Sequence, residues 1–327
     1  MFYNNLKFAF RSLLKNKIYT TINLFGLAIG IAATLLIFRM VNYELSFNKN
    51  FKNYDRIVRV TSTTISKEEG KKYGVCVPIP AIKVVKNTVS QFEAVSPIRE
   101  MWADITIPNP NGGAPLKKFG MKPNTTAFFT ETSFFKIFDF KWLLGDPATA
   151  LDDPGSIVLT RNWAEKCFDN INEAIGRTVL LNNITPVVVK GVLEDLPTNC
   201  DFNFPFLISY KTVEANADLF LYNNKLQWGS CSSNDQIFAL LQSTDQWDAA
   251  NAVVKKVGEK EYAKGNEEGR QHFHNLQALS NLHYNTDLGN SGSHVISKTR
   301  INVLGFIGLL ILIMACFNFI NLATAQS

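Results

Sequence analysis

No acidic residue precedes Glu44, and the 327 residues contain only five cysteines and four histidines. G-x-x-x-x-G-K-[ST] is also missing, so the chain has no loop whose backbone amides, lysine and hydroxyl could hold nucleotide phosphates and magnesium. Gly112-Gly113 lies among prolines without that lysine. Neither G-x-S-x-G nor H-E-x-x-H nor a reactive-cysteine signature occurs, which disfavours an enzyme. His272 and His274 form an H-x-H, with His283 and His294 following, but no cysteine or carboxylate cluster accompanies them at a recognised ligand spacing. No metal and no cofactor is therefore expected. No period of 20 to 50 residues suggests a solenoid.

Long apolar runs are present instead. Ile18 to Phe38 is 21 residues without a charge, and a second uncharged stretch runs from Ile301 onward, almost purely apolar from Val303 to Phe317. About 20 apolar residues in a helix span the hydrocarbon core of a bilayer. The first run is longer than the apolar part of a usual signal peptide, and Arg39-Met40-Val41-Asn42 is a poor small-residue cleavage site, so an uncleaved anchor is expected. The sequence thus predicts transmembrane helices over 18–44 and 301–327, with a domain over 45–300 between them.

The charge distribution orients this plan. Lys7, Arg11, Lys15 and Lys17 precede the first run, whereas from Leu45 to Arg300 28 basic residues face 27 acidic ones. The middle domain is therefore not a basic surface, and a nucleic-acid partner is not expected. Basic flanks stay in the cytoplasm, which puts residues of about 45–300 outside the cell membrane. Lys298 and Arg300 oppose this rule, but long domains translocate largely regardless of such charges. Leu6, Phe10, Leu13 and Leu14 recur at helical spacing, with Lys7, Arg11 and Lys15 on another face, so 1–17 reads as an amphipathic helix on the cytoplasmic membrane surface.

Within the membrane segments, Gly26 and Gly30 form a G-x-x-x-G that lets helix backbones approach closely. Asn318 and Asn321 are one turn apart in the second, and amides are costly in lipid, so both should face other helices.

The middle domain mixes strand and helix patterns. Ile57 to Thr63 reads as a strand, Pro78 and Pro80 open a helix through Thr88, and Val95 to Ile107 returns to strand. After the Asn109–Pro115 loop come a strand at Ser156–Leu159, a helix capped by Thr160, a hairpin pairing Thr178–Leu181 with Thr185–Val192 across Asn182-Asn183, and a strand at Phe204–Ser209. Gln236 to Leu241 is a further strand, and Asp245 caps a helix with Trp247, Ala250, Val254 and Val257 on one face. The predicted fold class is an α+β membrane protein. Its extracytoplasmic α/β subdomain covers about 45–108 and 232–300, interrupted by a β-rich insertion over about 109–231.

Cys316 lies in the second span, while Cys76, Cys167, Cys200 and Cys231 would face an oxidising compartment. Four cysteines allow three complete pairings. Cys200 and Cys231, each beside a predicted strand, are the preferred disulfide.

A resemblance rests on several phrases in order: Phe134-Phe135-Lys136-Ile137-Phe138-Asp139-Phe140, Leu144-Gly145-Asp146-Pro147-Ala148-Thr149-Ala150-Leu151, Ser156-Ile157-Val158-Leu159-Thr160 and Ala174-Ile175-Gly176-Arg177. Val189-Lys190-Gly191-Val192-Leu193-Glu194-Asp195-Leu196-Pro197, Leu279-Ser280-Asn281-Leu282-His283 and the terminal Ala315–Ala325 segment follow. Together they resemble the N-terminal part of a MacB/FtsX-type ABC transporter permease, with its MacB-like periplasmic core domain. The resemblance implies a bacterial inner-membrane permease subunit that pairs with a separate ABC ATPase, with a second permease half or a permease dimer, with membrane lipid and with a periplasmic partner. It further implies mechanotransmission or export, coupling hydrolysis to movement of the external domain. Because relatives carry later helices, the chain reads as an N-terminal fragment. The alternative is a two-span membrane sensor with an extracytoplasmic ligand-binding domain.

Overall fold

Residues 17–120, 125–221, 226–263, 270–289 and 294–324 are described by a computed structural model. They fall into two units, one made of the chain up to Phe47 and from Ile296, the other of Asn48–Val295. The first contains helix α1 (Lys17–Leu45), which reaches roughly 43 Å at 1.5 Å per residue. Lys17 opens it; the expected amphipathic helix, with Lys7, Arg11 and Lys15, lies outside the described residues.

The second unit is built on strands β1 (Ile57–Ser66), β2 (Gly70–Gly74), β3 (Phe92–Trp102), β4 (Ile105–Ile107), β5 (Lys117–Phe119), β6 (Thr126–Thr130), β7 (Trp142–Gly145), β8 (Ser156–Thr160), β9 (Thr178–Leu181), β10 (Thr185–Leu193), β11 (Phe206–Ser209), β12 (Asp235–Leu241) and β13 (Gln271–Ala278). Its longer helices are α2 (Ile79–Thr88), α3 (Arg161–Phe168) and α4 (Trp247–Tyr262). The last helix, α5 (Lys298–Thr324), belongs to the first unit.

All thirteen strands join one mixed sheet, in the order β13-β1-β12-β3-β6-β11-β8-β10-β9-β4-β5, with β2 on β1 and β7 on β10. Residues of the expected β-rich insertion continue this sheet rather than starting another, because β6 pairs with β3 from Ile98↔Thr130 to Trp102↔Thr126. The single strand expected over Val95–Ile107 is broken at Ala103-Asp104. Its second half, β4, crosses to the far end of the sheet to pair with β5 and β9. Asn182 causes part of this, since its side chain accepts from the Asp104 amide at 2.8 Å.

Local sequence accounts for the other elements. Asn182 and Asn183 both have positive φ, 51° and 59°, as a two-residue hairpin turn between right-twisted strands requires. Thr160 precedes α3 in extended conformation but gives no side-chain cap bond. Asp245 sits in a 3-10 turn, Thr244–Gln246, hydrogen-bonded to Ser243, rather than capping α4; the helix starts one residue later, after Gln246.

Three apolar clusters line the sheet. Val58, Val60, Ile237 and Leu276 meet Val85 of α2 and Val254 of α4. A second cluster packs Ile105, Phe129, Ile157 and Val187 around Trp163 of α3. The third is aromatic, with Phe51, Phe134, Phe138, Phe202, Phe204 and Phe238 in mutual contact at centroid separations such as 5.0 Å for Phe51–Phe138 and 4.8 Å for Phe128–Phe204. Ring pairs at such distances add about 0.5–1.5 kcal/mol beyond their area burial.

Candidate functional site

In the helix unit, α1 and α5 run antiparallel, because contacts rise along one as they fall along the other: Asn23 with Asn318, Gly30 with Ala315, Thr34 with Gly308. A Cβ on Gly30 would lie 2.7 Å from that of Ala315, and one on Gly26 3.1 Å from Asn318 Nδ2. At Gly30 only hydrogen admits the partner helix so closely, while at Gly26 a methyl would press on the Asn318 amide. Asn318 donates to the Asn23 carbonyl at 3.1 Å, and the Thr34 hydroxyl lies 2.8 Å from the Gly30 carbonyl and 3.3 Å from that of Gly308. Asn321 stands at an exposed position one turn on. The remaining surfaces of both helices present Ile22, Phe25, Ile29, Phe306, Leu309 and Phe317 outward. Both are long and apolar enough to cross a membrane.

In the sheet unit, a buried polar network ties the segment that directly follows α1 to one that lies upstream of α5 in sequence. Asn48, three residues past α1 and at φ 62°, donates from Nδ2 to Asp201 Oδ2 at 2.6 Å and accepts at Oδ1 from the Asp201 amide at 2.9 Å. Its own amide donates to the Asn199 carbonyl at 3.0 Å. From the other side, His283 Nδ1 stands 2.8 Å from Asp201 Oδ1. All three side chains are buried, with Asp201 and His283 at or below 1% exposed. One loop between β10 and β11 therefore holds both the segment that follows α1 and the segment that precedes α5.

Arg59, 1% exposed on β1, is the second polar centre. Its guanidinium donates to Gln277 Oε1 at 2.7 and 3.1 Å, to Gln236 Oε1 at 3.2 Å and to the Gly289 carbonyl at 2.9 Å. Burial pushes its pKa down to about 10, with the Asp201 charge opposing that shift, so it stays cationic at neutral pH. Nearby, Thr61, Lys71, Tyr73, Asn275 and Gln277 are among the residues lining an open cavity of about 560 Å³.

The cysteines depart from expectation. Cys231 is bonded to Cys76, not to Cys200, with Cα atoms 5.7 Å apart. The cause is the sheet order: the Val77 amide donates to the Asp235 carbonyl, which lays the entry to α2 beside the entry to β12 and brings the two thiols together. Cys200 instead packs in the aromatic cluster, free and buried, where desolvation pushes its thiol up to about 12. Cys167 is likewise free and pushed up to about 12 by burial.

His272 and His274 project to one side of β13 and contact the Tyr262 ring at 5.2 and 5.5 Å. His272 Nδ1 meets the Thr64 hydroxyl at 2.9 Å; His274 Nδ1 lies 3.3 Å from the Thr61 carbonyl, and burial pushes this imidazole down to about 4. Sequence reasoning named Gly26, Gly30 and Asn318 but missed Asn48, Asp201, Arg59 and Gln277. His283 was visible as the end of Leu279–His283, but nothing in that phrase discloses its partner.

The comparisons bear on this architecture. The family model described as MacB-like periplasmic core domain matches residues 20–257, most of the chain. The chain belongs to this family. Among solved structures, a Porphyromonas gingivalis domain assigned to a permease is similar at TM-score 0.55 and 13% identity, covering 78% of this chain and 98% of that one. The periplasmic region of MacB from Actinobacillus actinomycetemcomitans matches at TM-score 0.40 and 15% identity, over 65% and 87%. Comparison with curated proteins gave no match. A MacB-like core between two apolar helices makes this a membrane protein with an extracytoplasmic domain.

Proposed function

We propose that this MacB-like chain is a permease subunit of an ABC transporter, moved by a separate ATPase and acting through its extracytoplasmic domain on substrate or on a periplasmic partner. The observation that carries this reading is the attachment of the domain. Asn48, directly after the first apolar helix, and His283, ahead of the second, both end on Asp201. The segment that follows the first helix and one that lies ahead of the second thus share a single buried carboxyl. Such a joint suits mechanotransmission, in which hydrolysis on one side of a membrane drives motion on the other. In this reading the sequence, which has no phosphate-binding loop, leaves hydrolysis to the partner.

The basic residues before α1 support an N-terminus on the cytoplasmic side of the bacterial inner membrane, with residues of about 45–300 outside. The Gly30–Ala315 approach supports tight pairing of the two helices, while their outward apolar faces suit lipid and further helices of a second permease half.

The test is reconstitution in lipid with a candidate ATPase encoded alongside. Stimulated hydrolysis, lost on replacing Asp201, supports the permease. No complex and no change in rate would sink it and favour a two-span sensor.

A further inference from the structure

The cavity on the β1–β13 end of the sheet has the chemistry of a ligand site. Strand register builds its floor. Thr61 pairs with Asn275, Arg59 with Gln277, Thr63 with both Phe273 and Tyr73, and Ile65 with Lys71. Because side chains alternate along a strand and paired residues share a face, Arg59, Thr61, Thr63, Phe273, Asn275 and Gln277 all stand on one side, with Lys71 and Tyr73 beside them. The opposite side carries Val58, Val60 and Leu276 of the apolar core. This face is therefore a contiguous field of hydroxyls, carboxamides and ring faces.

Gln277 supplies the decisive detail. It is 5% exposed, and its Oε1 is committed to two N–H groups of Arg59. That fixes the amide, since guanidinium nitrogens can only donate and the oxygen must face them. The amide nitrogen is left as a buried donor of fixed direction without an acceptor among the described residues. An unmet buried donor costs about 1–3 kcal/mol. A sheet face that is merely solvated needs no such group.

The rim adds charge and flat apolar surface. Lys71 lies over the Tyr73 ring at 4.9 Å and Lys255 over Phe273 at 4.9 Å, which holds both ammonium groups at the cavity. Lys255 also reaches Glu259, at 3.8 Å, and among the described residues Asp287 is the one acid lining the cavity. Trp247, Asn281 and Asn285 complete the wall. Peptide capture by strand addition is disfavoured, because at the edge strand β13 the Leu276 amide already donates to Asn251 Oδ1 at 2.7 Å.

We infer that this cavity binds an acidic saccharide: hydroxyls paired with the carboxamides and threonines, a ring face against Tyr73 or Trp247, and a carboxylate between Lys71 and Lys255. Its volume, about 560 Å³, lies in the range of small-molecule sites and holds one or two sugar rings. The inference stands apart from the transporter reading, since it uses only residues of the sheet unit.

The test uses the full chain in detergent, with calorimetric and ligand-detected NMR titrations of glucuronate, N-acetylmuramate, glucose and inorganic phosphate. Both acidic sugars are expected to bind with Kd near ~1 mM or tighter, and glucose about tenfold more weakly. Lys71→Ala combined with Lys255→Ala, both at exposed positions that leave the core intact, should weaken glucuronate about tenfold without changing the melting temperature. Gln277→Leu should weaken both acidic sugars and glucose alike. Absence of binding by either acidic sugar at about 10 mM overturns the proposal. So does unchanged affinity in the lysine variant. Phosphate competing as well as glucuronate would mark a plain anion site and also overturn it.

Discussion

Replacing Asp201 by alanine removes the acceptor for two buried donors at once. Asn48 Nδ2, at 2.6 Å, and His283 Nδ1, at 2.8 Å, would each lose the carboxyl while staying out of water. At about 1–3 kcal/mol per orphaned group, the loss is roughly 3–5 kcal/mol. For a unit of this size each kcal/mol shifts the melting temperature by about 2–4 °C, so the variant should melt about 6–20 °C below the parent. Asp201→Asn keeps one carbonyl oxygen and should lose about half as much. Thermal unfolding in detergent gives the numbers, and the pair Asn48→Ala and Asp201→Ala gives their coupling, expected at about 1 kcal/mol or more. A shift below ~3 °C for Asp201→Ala, or simple additivity of the two, would refute the idea that this carboxyl locks both segments.

Peptide mapping without reductant should recover Cys76 linked to Cys231, and Cys200 should resist maleimide until the chain unfolds. Cys76→Ser opens a 155-residue loop, which by chain entropy costs about 5 kcal/mol, read as a lower denaturation midpoint equal to that of the reduced parent. His274, held near 4 against its ordinary 6.5, is neutral in the folded state, so the unfolded chain takes up the proton first as pH falls. Stability should therefore drop between pH 6.5 and 4 by roughly 3 kcal/mol from this group, with His272 adding to the shift; His274→Leu should flatten that part of the profile in denaturant melts. Gly30→Leu places side-chain atoms where Ala315 already stands, costing about 1–3 kcal/mol of helix pairing. Oxidative crosslinking of Thr34→Cys to Gly308→Cys in membranes should fall with it, and an unchanged yield would contradict the close approach.

Much of this architecture is legible in the sequence where the signal is local. The Asn182-Asn183 turn, the β-branched run at Ile57 and the apolar stripe of Trp247, Ala250, Val254 and Val257 each specify an element without help from the rest of the chain. So do glycines and an asparagine in otherwise apolar helices, since glycine lets backbones approach and an amide in lipid needs a partner, so both mark a packed seam. What depends on strand order is not legible. The stretch Val95–Ile107 carries one continuous β pattern, and only the Asp104–Asn182 bond, 78 residues apart, shows why it splits. The disulfide fails for the same reason: Cys200 and Cys231 flank strands equally well, and β12 lying against β3 and β1, close to the start of α2, decides for Cys76.

Arg59 is the extreme case of information held only in three dimensions. In Ile57–Ser66 it reads as a surface residue on the polar side of a half-buried strand. Its desolvation, several kcal/mol for an unpaired ion, is offset only because Gln236, Gln277 and Gly289 bring acceptors from three separate segments and Asp201 adds its charge. A slip of one residue between β1 and β13 would turn the guanidinium to the Val58–Leu276 side, into an apolar cluster. An all-apolar strand would tolerate that slip far better. The buried arginine thus pins the register of β1, β12 and β13 together, and the same register fixes the orientation of the Gln277 amide.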